Sequence, residues 1–176
     1  MEKVFIYDTT LRDGSQAEGV NFSIEDKLRI LQKLDEFGID YVECGWPGAN
    51  PKDTVLFERL KKYKPLHTKI VAFGSTRRPG KRAEEDPQLE NLIKSGAQTI
   101  TIFGKSWDFH VLEALKTTLE ENLSMVYESI SFLKKHVQEV IFDAEHFFDG
   151  YKNNPQYALE VLRSAIEGGA DWVVLC

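Results

Sequence analysis

Phe37-Gly38-Ile39-Asp40-Tyr41-Val42 holds a helix stop and a strand start within six residues. A glycine closing an amphipathic stretch takes the left-handed conformation that ends a helix, and the branched and aromatic residues after it enter a strand. The pattern returns at Ser95-Gly96-Ala97-Gln98-Thr99-Ile100 and at Gly168-Gly169-Ala170-Asp171-Trp172-Val173. Working outward, six short apolar runs recur: Val4–Tyr7, Tyr41–Cys44, Lys69–Phe73, Thr99–Phe103, Glu139–Phe142 and Trp172–Leu175. Each is rich in β-branched or aromatic residues and too short for a helix, which predicts strands buried on both faces. They return roughly every 30 to 40 residues, the spacing of right-handed βαβ units in a parallel sheet.

Helical stretches fill the intervals. Ser23-Ile24-Glu25-Asp26 reads as a capping box with Asp at its fourth position, opening a helix with Leu28, Leu31 and Leu34 on one side. Asn50-Pro51 and Asp86-Pro87 each set a cap residue before a first-turn proline. A longer helix is predicted from Leu119 to His136, and Pro155 opens the last one.

The 176 residues are 42% hydrophobic and 28% charged, with a formal net charge of -6, which predicts one soluble globular domain over 1–176 with a substantial core. The acidic balance argues against a nucleic-acid partner, which usually demands a basic face. No run of about 18 apolar residues offers a membrane span. Met1-Glu2-Lys3 leads straight toward a strand without a signal-peptide pattern, so a cytoplasmic protein is expected. Cys44 and Cys176 both end apolar runs and are expected to be buried thiols in a reducing compartment, not a disulfide.

Doubly wound sheets and (β/α)₈ barrels share this alternation. The first strand-to-helix turn lacks the glycine-rich phosphate fingerprint of a dinucleotide fold. Polar residues instead follow nearly every strand: Asp8 to Asp13, Glu43, Ser75 to Arg77, Lys105, and Glu145-His146. A ring of such groups at strand carboxyl ends is what a barrel active site requires. A complete barrel takes about 250 residues. The expectation is therefore an α/β TIM (β/α)₈ barrel, incomplete, with about six of the eight units present.

Asp8-Thr9-Thr10-Leu11-Arg12-Asp13-Gly14, with Gln16, sits on the loop leaving the first strand. Arginine beside a carboxylate there could offer an oxyanion clamp and a hard-metal ligand together, although Asp-Gly is also an ordinary turn dipeptide. The run resembles the opening signature of the family that includes 2-isopropylmalate, homocitrate and citramalate synthases and HMG-CoA lyase. Val42-Glu43-Cys44-Gly45-Trp46-Pro47-Gly48-Ala49-Asn50-Pro51-Lys52-Asp53, Ala72-Phe73-Gly74-Ser75-Thr76-Arg77-Arg78, Lys105-Ser106-Trp107-Asp108-Phe109-His110-Val111 and Phe142-Asp143-Ala144-Glu145-His146-Phe147-Phe148-Asp149-Gly150-Tyr151 extend the likeness over the whole chain. They narrow it to the bacterial (R)-citramalate synthase branch.

The resemblance implies a Claisen condensation of acetyl-CoA with a 2-keto acid, pyruvate above others. Asp13 would bind a divalent cation (magnesium, manganese or zinc) that makes the keto carbon electrophilic. Arg12 would stabilise the developing oxyanion, with Glu43 holding its guanidinium through a bidentate pair. Glu145 matches the catalytic glutamate, the base for the acetyl methyl proton, and Gln16 would lie near the metal and acyl group. The alternatives within the family are a 2-isopropylmalate or homocitrate synthase, and a retro-aldol lyase. A lyase usually lacks a glutamate matching Glu145. A non-catalytic barrel that acts only through binding or assembly stands as a reading from another class.

Duller roles stand beside these. Glu43 could be a structural partner for any buried cation, and Glu145 a solvated neighbour of His146, with Asp143 and Asp149 equally available. His67, His110 and His136 show no metal-ligand spacing. Lys105, ending the fourth strand, could form a Schiff base in principle, but Arg12-Asp13 points to metal activation instead. Arg77 lies in Ser75-Thr76-Arg77-Arg78-Pro79-Gly80-Lys81-Arg82, a basic run that either attracts the anionic keto acid and CoA phosphates or is a solvated loop balanced by Glu84-Glu85-Asp86.

The family's metal site also uses a His-x-His pair, and none occurs here. The chain alone is thus expected to be inactive, with the missing ligands, the last two strands and any regulatory domain after Cys176. Its outer strands are expected to be unpaired edges that invite association. The full-length protein is expected to be a homodimer.

Overall fold

The computed structural model describes residues 3–176. Six parallel strands form one sheet in sequence order: β1 (Tyr7–Asp8), β2 (Tyr41–Gly45), β3 (Lys69–Ser75), β4 (Thr99–Lys105), β5 (Glu139–Glu145) and β6 (Trp172–Leu175). Between them run α1 (Ile24–Phe37), α2 (Pro51–Leu60), α3 (Pro87–Lys94), α4 (Leu119–Leu133), α5 (Phe147–Asn153) and α6 (Pro155–Glu167).

The helix boundaries follow local chemistry. Ser23 and Asp26 form the reciprocal capping box, and Asn50 and Asp86 accept from the first-turn amides of α2 and α3. Gly38, Gly96 and Gly169 have φ of 87°, 80° and 95°, the left-handed stops that return the chain to the sheet.

The sheet is curled into part of a barrel. Phe5 packs edge-on against Trp172 at 5.4 Å, although they flank opposite edges of the sheet. The Tyr41 hydroxyl of β2 donates to Glu139 of β5 at 3.0 Å, across the hollow. Glu139 also receives Lys69, Thr99 and Trp172, closing the amino-terminal end with one polar network.

Side-chain alternation assigns the two faces. On β5, Val140, Phe142 and Ala144 join the main core beneath the helices, with Leu31, Phe57, Leu92, Ile130 and Val161. Ile141, Asp143 and Glu145 face the hollow instead. Period two thus separates the fold's core from its site.

Three expectations need correction. The first strand does not begin at Val4: Val4 is 82% exposed and only Tyr7–Asp8 pairs. β6 is mostly exposed, because a strand can be buried on both faces only where both neighbours and a covering helix exist. Cys176 is exposed, and Cys44 alone is buried.

Candidate active site

β1 ends at Asp8, and the chain turns at Thr9, whose carbonyl accepts from the amides of Arg12, Asp13 and Gly14. The Asp8 carboxylate caps this turn through the Thr10 amide and hydroxyl, both at 3.0 Å. Leu11 is fully buried and anchors the loop, so Arg12 is directed over the hollow.

Arg12 Nε donates to Glu43 Oε1 at 2.6 Å, and Arg12 Nη1 donates to Asp13 Oδ1 at 3.0 Å. Its guanidinium lies 3.8 Å from the centroid of the Phe73 ring, a cation–π contact that fixes its plane. Glu43 is nearly inaccessible and takes a second bond from the Tyr7 hydroxyl at 2.5 Å, with Thr101 Oγ1 at 2.8 Å on the far side of that hydroxyl. Burial pushes the Glu43 carboxyl above the ordinary glutamate range, while Tyr7 and Arg12 pull it back. Burial also raises the Tyr7 phenol, which keeps its proton as a donor. The implied Arg12–Glu43 pair is therefore present, through Nε alone and not as a two-pronged fork.

A cavity of about 1100 Å³ occupies the hollow, and Arg12, Asp13, Gln16, Glu43 and Glu145 all line it. Trp46, Phe73 and Phe103 wall it beside Arg12, Trp46 meeting both phenyl rings edge-on at 5.6 Å. Asp143 also faces it. Its Oδ1 is buried with no hydrogen-bond partner among the described residues, and burial raises its carboxyl above the ordinary range.

Arg77 stands elsewhere. It turns away from the hollow and is buried against α4, where Nη1 meets Glu121 at 2.7 Å and Nε meets Glu128 at 2.8 Å. With its charge neutralised twice over, it holds the β3–α3 loop to α4 and does not meet a substrate in the cavity. The Lys105 ammonium is engaged by Glu145 in an ion pair.

Asp13 offers hard oxygen donors at the mouth, its side chain 62% exposed, a chemistry suited to a hard divalent cation. Among the described residues, no three His, Cys, Asp or Glu side chains gather around one point as a cation site.

Sequence reasoning passed over Tyr7, Thr101 and the aromatic wall, and named Asp143 only as a rival to Glu145. Asp143 had a usable signal: it lies two residues before Glu145, on the same face of β5. Tyr7 pairing with Glu43 depends on β1–β2 register, which no local motif reveals.

A family model described as HMGL-like matches residues 3–176. The chain belongs to the HMGL-like family. An (R)-citramalate synthase from Aquifex aeolicus is 67% identical over 99% of this chain, which covers 33% of that protein. A second (R)-citramalate synthase, from Geobacter sulfurreducens, is 55% identical over the whole chain and likewise 33% of its own length. A 2-isopropylmalate synthase from Sulfolobus acidocaldarius is 33% identical over 97% of the chain and 41% of its own length. The chain thus spans about a third of the length of the citramalate synthases it matches. Among solved structures, the hydroxymethylglutaryl-CoA lyase of Pseudomonas aeruginosa superposes with a TM-score of 0.74 at 19% identity, covering 97% of this chain and 56% of that one, a likeness of fold.

Proposed function

We propose that this chain forms the amino-terminal catalytic portion of an acyltransferase that joins acetyl-CoA to pyruvate, giving (R)-citramalate. The observation that carries the reading is the convergence of Arg12, Asp13, Gln16, Glu43 and Glu145 on one cavity at the carboxyl ends of the strands. The 67% identity to an (R)-citramalate synthase supports it.

The residues divide the work. Arg12 keeps Nη2 free of Glu43 and Asp13, so it can donate to the keto oxygen as negative charge develops there. Glu43, held from behind by Tyr7, prevents the guanidinium from swinging to solvent. Glu145 accepts a proton from the acetyl methyl group, and the resulting enolate carbon bonds to the keto carbon of pyruvate. Water then cleaves the thioester, releasing the CoA thiol and leaving citramalate. A divalent cation held in part by Asp13 would supply Lewis-acid polarisation of the keto group. Gln16, on the turn after Asp13, faces the same cavity and can hydrogen-bond the acyl carbonyl.

Trp46, Phe73 and Phe103 crowd the space beside Arg12 with flat, rigid groups. That favours a methyl substituent on the keto acid over an isopropyl or carboxyethyl one. The test is CoA release by the full-length protein with acetyl-CoA and pyruvate, 2-ketoisovalerate or 2-ketoglutarate. Turnover with pyruvate at least about tenfold more efficient than with the others is expected. Preference for 2-ketoisovalerate would replace the reading with a 2-isopropylmalate synthase, and cleavage of a hydroxyacyl-CoA without condensation would replace it with a lyase.

A further inference from the structure

We infer that Lys105 and Ser106, where β4 leaves the sheet, form the positioning element for the Glu145 carboxylate. This rests on the reading of Glu145 as the proton acceptor in a condensing enzyme. Lys105 and Glu145 are direct partners on the last rung of the β4–β5 ladder. Their side chains form an ion pair at Glu145 Oε2, largely shielded at 19% and 30% exposure. Ser106 grips the same residue's backbone twice: its amide donates to the Glu145 carbonyl at 3.2 Å and its hydroxyl at 2.6 Å. Glu145 is thereby held at its backbone carbonyl and at its carboxylate.

Lys105 stands beside Glu145 on the neighbouring strand, and its ammonium is taken up by the carboxylate, while Glu145 and not Lys105 lines the cavity. Lys105 in turn lies 5.5 Å from the Phe103 ring centroid, a surface its stem can rest on. Among the described residues Glu145 Oε1 enters no ion pair, which leaves it to meet the acyl methyl group.

The segment after Glu145 is built around the same contact. Gly150 of α5 presses on the Ser106 carbonyl so closely that an added Cβ would lie 2.3 Å from that oxygen. His146 is held at φ 54°, an uncommon value for a non-glycine residue. It is retained by an Nδ1 contact to Asp149 Oδ2 at 3.0 Å and by the His110 ring at 4.6 Å. Strain of this sort persists only where the surroundings over-determine it, and it clusters at active sites. A glutamate has three side-chain torsions, so a base of this kind is useful only if something removes that freedom before substrate arrives.

The test uses the full-length protein and its own turnover of acetyl-CoA with the preferred 2-keto acid. Lys105→Met is expected to lower kcat about 10- to 100-fold. KM for the keto acid should shift less than about threefold, since ground-state binding is untouched. Lys105→Arg should recover most of the loss, and ethylamine should partly restore Lys105→Ala while leaving the wild type unaffected. A passive packing role would give no amine rescue. Wild-type kcat in Lys105→Met, a rise in KM without loss of kcat, or a folded Lys105→Ala indifferent to ethylamine would each overturn the inference. If Lys105→Met does not fold, Ser106→Ala decides, with a kcat loss expected and an unchanged kcat contradicting. A wild type that condenses acetyl-CoA with no 2-keto acid would instead contradict the proposed function itself.

Discussion

At Asp143, a carboxyl group faces the cavity with one buried oxygen unpartnered among the described residues, and burial holds it above the ordinary aspartate value of 3.8. Its folded pKa exceeds its unfolded one, so the group's contribution to stability is fully present below the unfolded value and is lost as pH rises through the folded value. The urea midpoint of wild type relative to Asp143→Asn should therefore fall as pH is raised from the ordinary aspartate range toward neutrality. A difference that stays flat or grows with pH would contradict the assignment. Glu43 shares the sign, for the same reason of burial, but its bonds from Tyr7 and Arg12 oppose it. The residues named from motif alone, Arg12, Asp13, Gln16, Glu43 and Glu145, do face one space, because strand ends in a parallel barrel all point the same way. The Arg12–Glu43 pair was legible as well, but the further partners were not. Tyr7 to Glu43 and Lys105 to Glu145 are inter-strand contacts set by register, and Arg77 was drawn off by two glutamates on a distant helix.

Among the elements, the β2–α2 connection shows how the scaffold shapes the cavity wall. Lys27 of α1 is buried against Asp53 of α2 at 2.6 Å, and Asp53 Oδ2 accepts from the Trp46 amide at 2.9 Å. The pair ties two helices to the loop that carries an aromatic wall residue. Asp53→Ala should cost about 3–5 kcal/mol by leaving the Lys27 charge buried and alone, whereas Lys27→Met with Asp53→Leu should cost far less. Equal losses in the single and double variants, by denaturant unfolding, would contradict this. Gly150→Ala drives a methyl into the Ser106 carbonyl and should cost about 1–3 kcal/mol. An unchanged unfolding midpoint would show that α5 does not rest on the end of β4. Helix starts were readable in the sequence because caps are local: Ser23, Asn50 and Asp86 all behave as their side chains dictate. Strand carboxyl ends were not, since β3, β4 and β5 continue two or three residues beyond the apolar runs into the polar residues of the site.

Across the whole molecule, protection should grade from the centre of the sheet outward. β3, β4 and β5 have neighbours on both sides and helices beneath, while β1 and β6 are edges among the described residues, with Ile6 and Trp172 about half exposed. Amide exchange should be slowest in β4 and fastest in β1 and β6; protection in β6 equal to that in β4 would contradict the edge assignment. Apolar runs, their spacing and glycine stops were enough to read the architecture, yet they gave the outer strands too much burial. A strand's burial depends on its neighbours, not on its own composition. Shared use of one cavity by Arg12, Glu43 and Glu145 is the account's centre. It is tested most directly by steady-state kinetics of Glu145→Gln in the full-length protein, a change that keeps size and hydrogen bonding but removes the proton acceptor. The predicted result is a kcat lower by about 100-fold or more with KM for pyruvate nearly unchanged; a kcat within a few-fold of wild type would contradict it.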